Sequence, residues 1–216
     1  MSYSRCLECI NTTGIIAILR ASSSDSLLKA AEALHAGGVL AIEVTLTTPG
    51  ALEVIREAQQ KLSQEIYFGA GSVLDPETTR AAIFAGANFI VAPSLNLDVI
   101  KLCRRYSIPV IPGAFTPTEI VTAWEAGADL IKIFPASVGG PEMIKALKAP
   151  LPQIDLVPVG GVEISNTASF FRAGAAAVGV GSSLVNDPLL SRGDYDEITS
   201  RAKQFIQEAA LGRNKL

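Results

Sequence analysis

The sequence predicts an α/β fold, a single (β/α)8 TIM barrel that covers residues 1–216, with the barrel itself at about 14–190. Eight short apolar runs alternate with stretches of helical spacing, and no linker separates these units. Several helices also end in Ala-Gly-Ala or a close variant directly before a strand, at 36–38, 85–87, 126–128 and 173–175. Glycine there favours the left-handed C-cap, and the alanines let helix and strand lie close together.

The strands are predicted from apolar, often β-branched runs. They lie at 15–20, 39–46, 66–71, 88–92, 108–113, 128–134, 155–160 and 175–181. An open doubly wound sheet is the alternative, but it usually has fewer strands and a glycine-rich nucleotide turn after the first one. The first strand here ends in Leu19-Arg20-Ala21 without such a turn, which favours the barrel.

The helices are predicted from periodicity and from the residues that start or stop them. A short N-terminal helix at 2–12 precedes the barrel, and a helix at about 194–211 closes the chain. Between the strands, helices are predicted at 24–36, 49–62, from 75 onward, and at 96–106, 116–126, 141–147 and 165–172. Asp75-Pro76 and Thr116-Pro117 each place a capping residue before a proline, and Gly37-Gly38 ends the first of these helices.

The composition describes a chain that buries a large core. Of 216 residues, 49% are hydrophobic and 18% are charged, and the net charge is −3. This charge argues against general binding to nucleic acid or to an acidic membrane surface. No apolar run approaches the ~20 residues that span a bilayer, and the N-terminus has too little apolar length for a signal peptide. An odd number of cysteines, 3, predicts a reducing, cytoplasmic location.

Cys6 and Cys9 form a C-x-x-C pair within the predicted N-terminal helix. A zinc site would need about two more soft ligands, for which only Cys103 and His35 are candidates. A redox motif would normally follow a strand. Packing is therefore the predicted role of the pair. With His35 as the only histidine, we predict no metal site and no cofactor.

A lysine stands in the middle of the predicted sixth strand. Lys132 shares one strand face with Leu130 and Phe134, because neighbouring residues alternate sides. Burial disfavours the ammonium form, and the uncharged amine is what a Schiff-base nucleophile requires. The alternative is a lysine near a strand end that reaches solvent.

Arg20, Glu43 and Lys132 are the only ionisable side chains well inside the predicted strands or at their carboxyl ends. In a barrel these ends meet at one face, where active sites lie. A buried ion pair is the alternative, but such a pair is weak evidence for stability. Lys132 could form an iminium with a keto acid, Glu43 could transfer protons, and Arg20 could bind a carboxylate or phosphate.

Further polar residues and turns are predicted at the same face. Thr45 and Thr47 share a strand face with Glu43. Gly160-Gly161 and Gly181-Ser182-Ser183 follow strands seven and eight, where backbone N–H groups commonly bind phosphate. Each could also be only a tight turn.

Several motifs resemble the 2-keto-3-deoxy-6-phosphogluconate (KDPG) aldolase family, which includes 4-hydroxy-2-oxoglutarate (KHG) aldolase and 6-phosphogalactonate aldolase. The resemblance covers roughly residues 10–190. The motifs are ILR (18–20), IEVTLTTPG (42–50), GAGSVLDPE (69–77), VAPSL (91–95), PGAFTPTE (112–119), IKIFPAS (131–137), PVGGV (158–162) and VGVGSSLV (178–185). The resemblance implies a class I aldolase on a (β/α)8 barrel, commonly a homotrimer. Such an enzyme splits a phosphorylated 2-keto-3-deoxy sugar acid into pyruvate and glyceraldehyde 3-phosphate.

The resemblance also implies residue roles. Lys132 matches the Schiff-base lysine and Glu43 the general acid/base. The substrate-binding positions are Arg20, Thr45, Thr47, Ser72, Pro93, Phe134, Val159, Gly160, Gly161, Gly181 and Ser182. Ser72 keeps the hydroxyl of a threonine that contacts the pyruvyl carboxylate in the family.

Two positions depart from the family pattern. Thr47 stands where many members have an arginine for the substrate, and we expect Arg20 to supply that charge from strand one. Val159 stands where the phosphogluconate enzymes commonly have a threonine, and the galactonate-type enzyme is more similar there and at 140–152. Because a lost hydroxyl changes substrate discrimination, the C4 epimer stays open.

Two other functions remain compatible with the residues alone. A phosphosugar isomerase or epimerase on the same barrel would use the phosphate turns but not the lysine. A non-catalytic phosphate-binding barrel would bind phosphosugars without turnover. The lysine and glutamate favour the aldolase over both.

Overall fold

The computed structural model describes residues 3–20, 24–62 and 66–214, and these residues form short strands that alternate with helices. The strands are β1 Ile15–Leu19, β2 Ala41–Thr45, β3 Tyr67–Gly71, β4 Phe89–Val91, β5 Val110–Ile111, β6 Gly113–Ala114, β7 Ile131–Ile133, β8 Leu156–Pro158 and β9 Val178–Val180. The helices are α1 Tyr3–Thr13, α2 Ser24–Ala36, α3 Ala51–Leu62, α4 Pro76–Phe84, α5 Leu97–Tyr106, α6 Pro117–Glu125, α7 Gly140–Lys148, α8 Ile164–Arg172, α9 Asp187–Arg192 and α10 Tyr195–Arg213. The alternation predicted from the sequence is confirmed.

All strand pairs are parallel and fall into two sheets. A curled six-stranded sheet has the order β5-β4-β3-β2-β1-β9, and a three-stranded sheet has the order β6-β7-β8. The predicted fifth strand is divided at Pro112, which has no N–H to donate to a neighbour. Beyond β8, a single parallel bridge joins Val159 to Gly179 of β9. The structure thus has the parallel α/β arrangement, in two sheets rather than one continuous eight-stranded ring.

Alternation along the strands creates two apolar layers. Ile42, Val44 and other outward residues pack against the helices in the larger cluster. Ile16, Ile18, Phe89 and other residues of the opposite strand face form a second cluster, here called the inner cluster. Helices thus cover one face of the curled sheet, and the other face encloses its own core.

Helix α1 covers the amino ends of the strands. Its Cys6 and Ile10 belong to the inner cluster together with Ala41, Leu130 and Ala177, each of which lies at or just before the start of a strand. Cys6 is buried, and burial raises the pKa of its thiol to about 12. The predicted helix at 2–12 is found at Tyr3–Thr13, with residue 2 outside the described residues. Because α1 covers this end, the carboxyl ends of the strands are the end that opens to solvent.

Two predicted helix starts, at Asp75 and Thr116, are confirmed in detail. The Asp75 carboxylate accepts from Thr78 N–H at 2.6 Å, and Pro76 follows in the first turn. Thr116 and Glu119 form a capping box at the start of α6. Helix α9 and the 3-10 turn at Ala136–Val138 were not predicted from the sequence. Both are short, so their apolar periodicity is weak.

Candidate active site

A cavity of about 580 Å³ lies at the carboxyl ends of β1, β8 and β9. Its wall consists of Ile18, Arg20, Phe134, Gly179, residues 159–163, residues 181–183 and residues 185–188. Seven of the predicted substrate-binding positions meet in this wall: Arg20, Phe134, Val159, Gly160, Gly161, Gly181 and Ser182. A cavity of this size can hold a small metabolite.

Lys132 and Glu43 lie deeper than this wall, on β7 and β2. The exposed fraction is 6% for Lys132 and 2% for Glu43. Both occupy the strand face that forms the inner cluster, since Ile131, Ile133, Ile42 and Val44 face the helices. Within the described residues, neither side chain has an ion-pair partner within 4.0 Å. Lys132 is therefore neither fixed in a salt bridge with Glu43 nor turned out to solvent.

Contacts connect this buried pair to the cavity. The Lys132 ammonium nitrogen lies 5.0 Å from the ring centroid of Phe134, which lines the cavity. The charge of Arg20, another wall residue, acts on the Glu43 carboxyl. Lys132 thus contacts one residue of the wall, and Glu43 is affected by the charge of another, although neither side chain is part of the wall.

Burial shifts the pKa of the Glu43 carboxyl. Burial raises the pKa of its carboxyl, and the positive charges of Lys132 and Arg20 lower it in part, so that the net direction is upward. A carboxyl that still holds its proton closer to neutral pH can both donate and accept protons. The arrangement can therefore combine an amine nucleophile with an acid/base group.

Thr45 and Thr47 differ in their placement. Thr45 ends β2 and is buried, and its hydroxyl donates to the carbonyl of Leu19 at 3.4 Å, tying β2 to β1. Thr47 lies in the exposed turn beyond the strand, where its hydroxyl donates to Thr45 Oγ1 at 3.2 Å. The predicted strand therefore extended too far, because a turn begins at Leu46. Thr48, which was not predicted, is buried with its Oγ1 3.3 Å from Thr45 Oγ1.

Ser72 and Pro93 follow β3 and β4, and both lie outside the cavity wall. Ser72 has a φ of 59°, a left-handed conformation that is uncommon for a residue with a side chain and recurs at functional sites. Both residues are half-buried at the same open end as the cavity. Phe134 lies just beyond β7 and is exposed, rather than within the predicted strand.

The turns after β8 and β9 are shaped by glycine. Gly160 and Gly161 have φ values of 95° and 71°, which a side chain rarely allows. A Cβ on Gly161 would also lie 2.8 Å from the Cβ of Ser137. The Ser183 hydroxyl donates to the carbonyl of Val162 at 2.7 Å and holds the two turns together.

The charge of the wall is mixed. Arg20 is the one basic side chain in the part of the wall that the structure describes, and Glu163 and Asp187 are acidic. Residues 186–188 of the wall were not predicted from the sequence, although Asn186-Asp187-Pro188 carries the same cap-and-proline signal as the other helix starts. Asn186 caps α9 by accepting from Leu189 N–H at 3.1 Å.

The described residues contain no group of three or more His, Cys, Asp or Glu side chains that could hold a metal ion. They also contain no helix that is both long and apolar enough to cross a membrane.

Comparison with known proteins gives a consistent result. The family described as KDPG and KHG aldolase matches residues 7–201. The chain is 41% identical to 2-dehydro-3-deoxy-6-phosphogalactonate aldolase of Escherichia coli K12, over 79% of this chain and 83% of the relative. It is 33% identical to 2-dehydro-3-deoxy-phosphogluconate aldolase of Pseudomonas aeruginosa, over 92% of this chain and 90% of the relative.

Solved structures agree with the sequence matches. A structure described as native KDPGal superposes with a TM-score of 0.86 at 36% identity, and covers 92% of this chain and 95% of its own. The KDPG aldolase of Legionella pneumophila, with pyruvate captured as a covalent carbinolamine intermediate, superposes with a TM-score of 0.86 at 28% identity. It covers 92% of this chain and 96% of its own.

Proposed function

The chain belongs to the KDPG and KHG aldolase family, and from that premise we propose that it cleaves a phosphorylated 2-keto-3-deoxy sugar acid to pyruvate and glyceraldehyde 3-phosphate. It is a carbon–carbon lyase, and Schiff-base chemistry is standard for the family. The observation that carries the proposal is the burial of Lys132 and Glu43 beside a cavity of about 580 Å³.

In the proposed mechanism, the Lys132 amine attacks the keto carbon of the substrate, and loss of water gives an iminium. Glu43 takes the proton of the C4 hydroxyl while the C3–C4 bond breaks, and the bonding electrons move to the iminium nitrogen. Glyceraldehyde 3-phosphate leaves, and the remaining enamine accepts a proton from Glu43 at C3. Hydrolysis then releases pyruvate and restores the amine. The burial that raises the pKa of Glu43 suits a group that must both take and give a proton.

Substrate contacts are proposed from the wall of the cavity. The backbone N–H groups of Gly160, Gly161, Gly181 and Ser182 would bind the phosphate, supported by their placement after β8 and β9. Arg20 would supply the cation, because it is the one basic side chain in the described part of the wall. Ser72, Thr45 and Pro93 would lie at the pyruvyl end, below this wall, with Thr47 at its rim.

We further propose the galactonate epimer, 2-dehydro-3-deoxy-6-phosphogalactonate, as the preferred substrate. The chain is 41% identical to an aldolase named for the galactonate epimer, but 33% identical to the P. aeruginosa relative named for the gluconate epimer. The apolar side chain of Val159 at the cavity also supports this preference. A pocket with one hydroxyl fewer binds the two epimers differently.

A pyruvate-release assay with both epimers and 4-hydroxy-2-oxoglutarate tests the activity and the preference. We expect kcat/KM for the galactonate epimer to exceed that for the gluconate epimer by about 10-fold or more. The matched variant Val159→Thr should narrow this ratio, because it adds a hydroxyl without changing the branched shape. Release of pyruvate from none of the three compounds would contradict the proposed function. Equal use of both epimers would contradict only the preference.

We also propose that residues 1–216 form one domain in which the two sheets close into an eight-stranded barrel. Pro112 separates β5 from β6 by one residue, and the bridge between Val159 and Gly179 spans the other gap. Both gaps are thus short interruptions between strands that follow the barrel order.

A homotrimer is proposed as the assembly. Leu74 and Leu97 lie in neighbouring segments, since Asn96 Nδ2 donates to the Leu74 carbonyl at 2.9 Å, and their exposed fractions are 58% and 49%. Exposed apolar side chains that together form a patch can mark an interface. A structural neighbour, 35% identical, belongs to a cage designed by fusing symmetric oligomeric domains.

Analytical ultracentrifugation should give about three times the 22.6 kDa chain mass. The double variant Leu74→Asp/Leu97→Asp should dissociate, because buried carboxylates without partners oppose association. Leu211→Asp is the matched control, since Leu211 lies on α10 with a similar exposed fraction of 59%. A monomeric wild type would contradict the trimer, and dissociation by the control would contradict the proposed surface.

A further inference from the structure

Two glycines of β3 face the interior beside Glu43. Strand β3 pairs with β2 so that Gly69 lies opposite Glu43 and Gly71 lies opposite Thr45. Side chains of strands lean along the strand direction, and Glu43 leans toward the open end of the sheet, over Gly71. The carboxyl therefore lies against the backbone of the neighbouring strand.

Gly71 leaves the space that the carboxyl occupies. A Cβ at Gly71 would lie 1.8 Å from Glu43 Oε1, 2.4 Å from Cδ and 2.5 Å from Cγ. Nonbonded carbon and oxygen atoms do not approach this closely. Gly71 is not among the glycines with positive φ, so its backbone conformation would accept alanine. The obstacle to a side chain at this position is thus Glu43 itself.

Gly69 and Phe89 determine where a displaced carboxyl could go. A Cβ at Gly69 would lie 2.3 to 2.5 Å from ring atoms of Phe89, and this fully buried ring fills the space below Glu43. The packed inner cluster leaves no room in that direction. A methyl at position 71 would therefore push the carboxyl toward the open end.

We propose that Gly71 is a positioning residue for the reaction, because its missing side chain holds the Glu43 carboxyl beside the Lys132 amine. The inference rests on the proposed function, in which Glu43 transfers the protons. Displacement by about 1 Å of a group that must meet the reacting atoms commonly costs about 10²-fold in rate. The cost should fall on kcat more than on KM, since Gly71 lies outside the cavity wall.

The test is a double-mutant cycle with wild type, Gly71→Ala, Glu43→Ala and the double variant. We expect Gly71→Ala to lower kcat by about 10²-fold in the wild-type background. In the Glu43→Ala background, where the clashing atoms are gone, the same change should alter kcat by less than about 2-fold. Equal losses in both backgrounds, or no loss in either, would overturn the proposal.

A second measurement does not depend on turnover. Titration of the Glu43 carboxyl by ¹³C NMR should show a lower pKa in Gly71→Ala than in wild type, because the carboxyl leaves the buried position that raises its pKa. An unchanged titration would overturn the proposal even if activity fell. If the wild type released no pyruvate, the proposed function would fail, while the titration would still test the position of the carboxyl.

Gly69→Ala serves as the matched control on the same strand. Its Cβ meets the Phe89 ring instead of Glu43, so it should lower the thermal midpoint by roughly 5 °C or more in either background. Gly71→Ala should leave the midpoint near that of wild type. If Gly71→Ala failed to fold, folding of Gly71→Ala/Glu43→Ala would still identify Glu43 as the clashing group. Failure of both would overturn the proposal.

Discussion

Lys132→Met is expected to abolish cleavage and, with it, the covalent product that borohydride forms between the protein and pyruvate. Methionine keeps the unbranched apolar stem of a side chain that is only 6% exposed, but it has no amine to attack the keto carbon. Without the covalent step we expect kcat/KM to fall by about 10⁴-fold or more. Mass spectrometry after reduction measures the adduct, and the pyruvate-release assay measures turnover.

The matched control for this variant is Lys145→Met, which removes an exposed lysine from α7. It should keep both the adduct and the activity of the wild type. Labelling that persisted in Lys132→Met would place the Schiff base on another lysine. Turnover that survived the substitution would argue for chemistry that needs no amine, as in the isomerase alternative.

Glu43→Gln is the second change for which we expect a large effect. Glutamine has nearly the same size and keeps the hydrogen-bonding oxygen, but it cannot carry a proton between the substrate atoms. General acid–base groups commonly contribute about 10²–10⁴-fold, and we expect a loss of kcat in this range. Borohydride trapping at long incubation should still label Lys132, which would separate proton transfer from adduct formation. Activity within about 2-fold of wild type would contradict the role of Glu43.

The same variant should change how stability depends on pH. Burial raises the pKa of Glu43, so the folded protein retains this proton to a higher pH than the unfolded chain does. The stability that this bound proton contributes is fully present below the Glu43 pKa of the unfolded chain, about 4.3. It is lost as the pH rises through the Glu43 pKa of the folded protein. Glu43→Gln cannot ionise. In denaturant unfolding it should therefore gain stability relative to wild type between pH 4 and pH 8, and a constant difference would contradict the prediction.

Much of the architecture could be predicted because local signals agree with the fold. Asp75 and Thr116 cap helices at the predicted positions, since a capping side chain and a following proline act within one turn of chain. The grouping of strand faces was also predictable, because alternation places Glu43 opposite Ile42 and Val44, and Lys132 opposite Ile131 and Ile133.

The structure differs from the sequence-based predictions where a distant contact decides the local structure. Pro49-Gly50 indicates a turn after Thr47, but the end of β2 at Thr45 is set by hydroxyl contacts between β2, β1 and Thr48. The two halves of the fifth strand pair with different partners, β5 with β4 and β6 with β7, on either side of Pro112, which has no N–H to donate. The space that Gly71 provides for Glu43 depends on strand register, which single-sequence patterns do not report.

The two ends of the sheet perform separate tasks. Helix α1 inserts Cys6 and Ile10 among the strand starts, far along the strands from the turns at 160–161 and 181–183. Substitutions of side chains at the open end, such as Val159 and Ser182, should therefore change substrate choice while sparing both the glycines that shape the turns and the packing around α1. Enzyme engineers can accordingly vary side chains around the cavity and leave the end of the sheet that α1 covers unchanged.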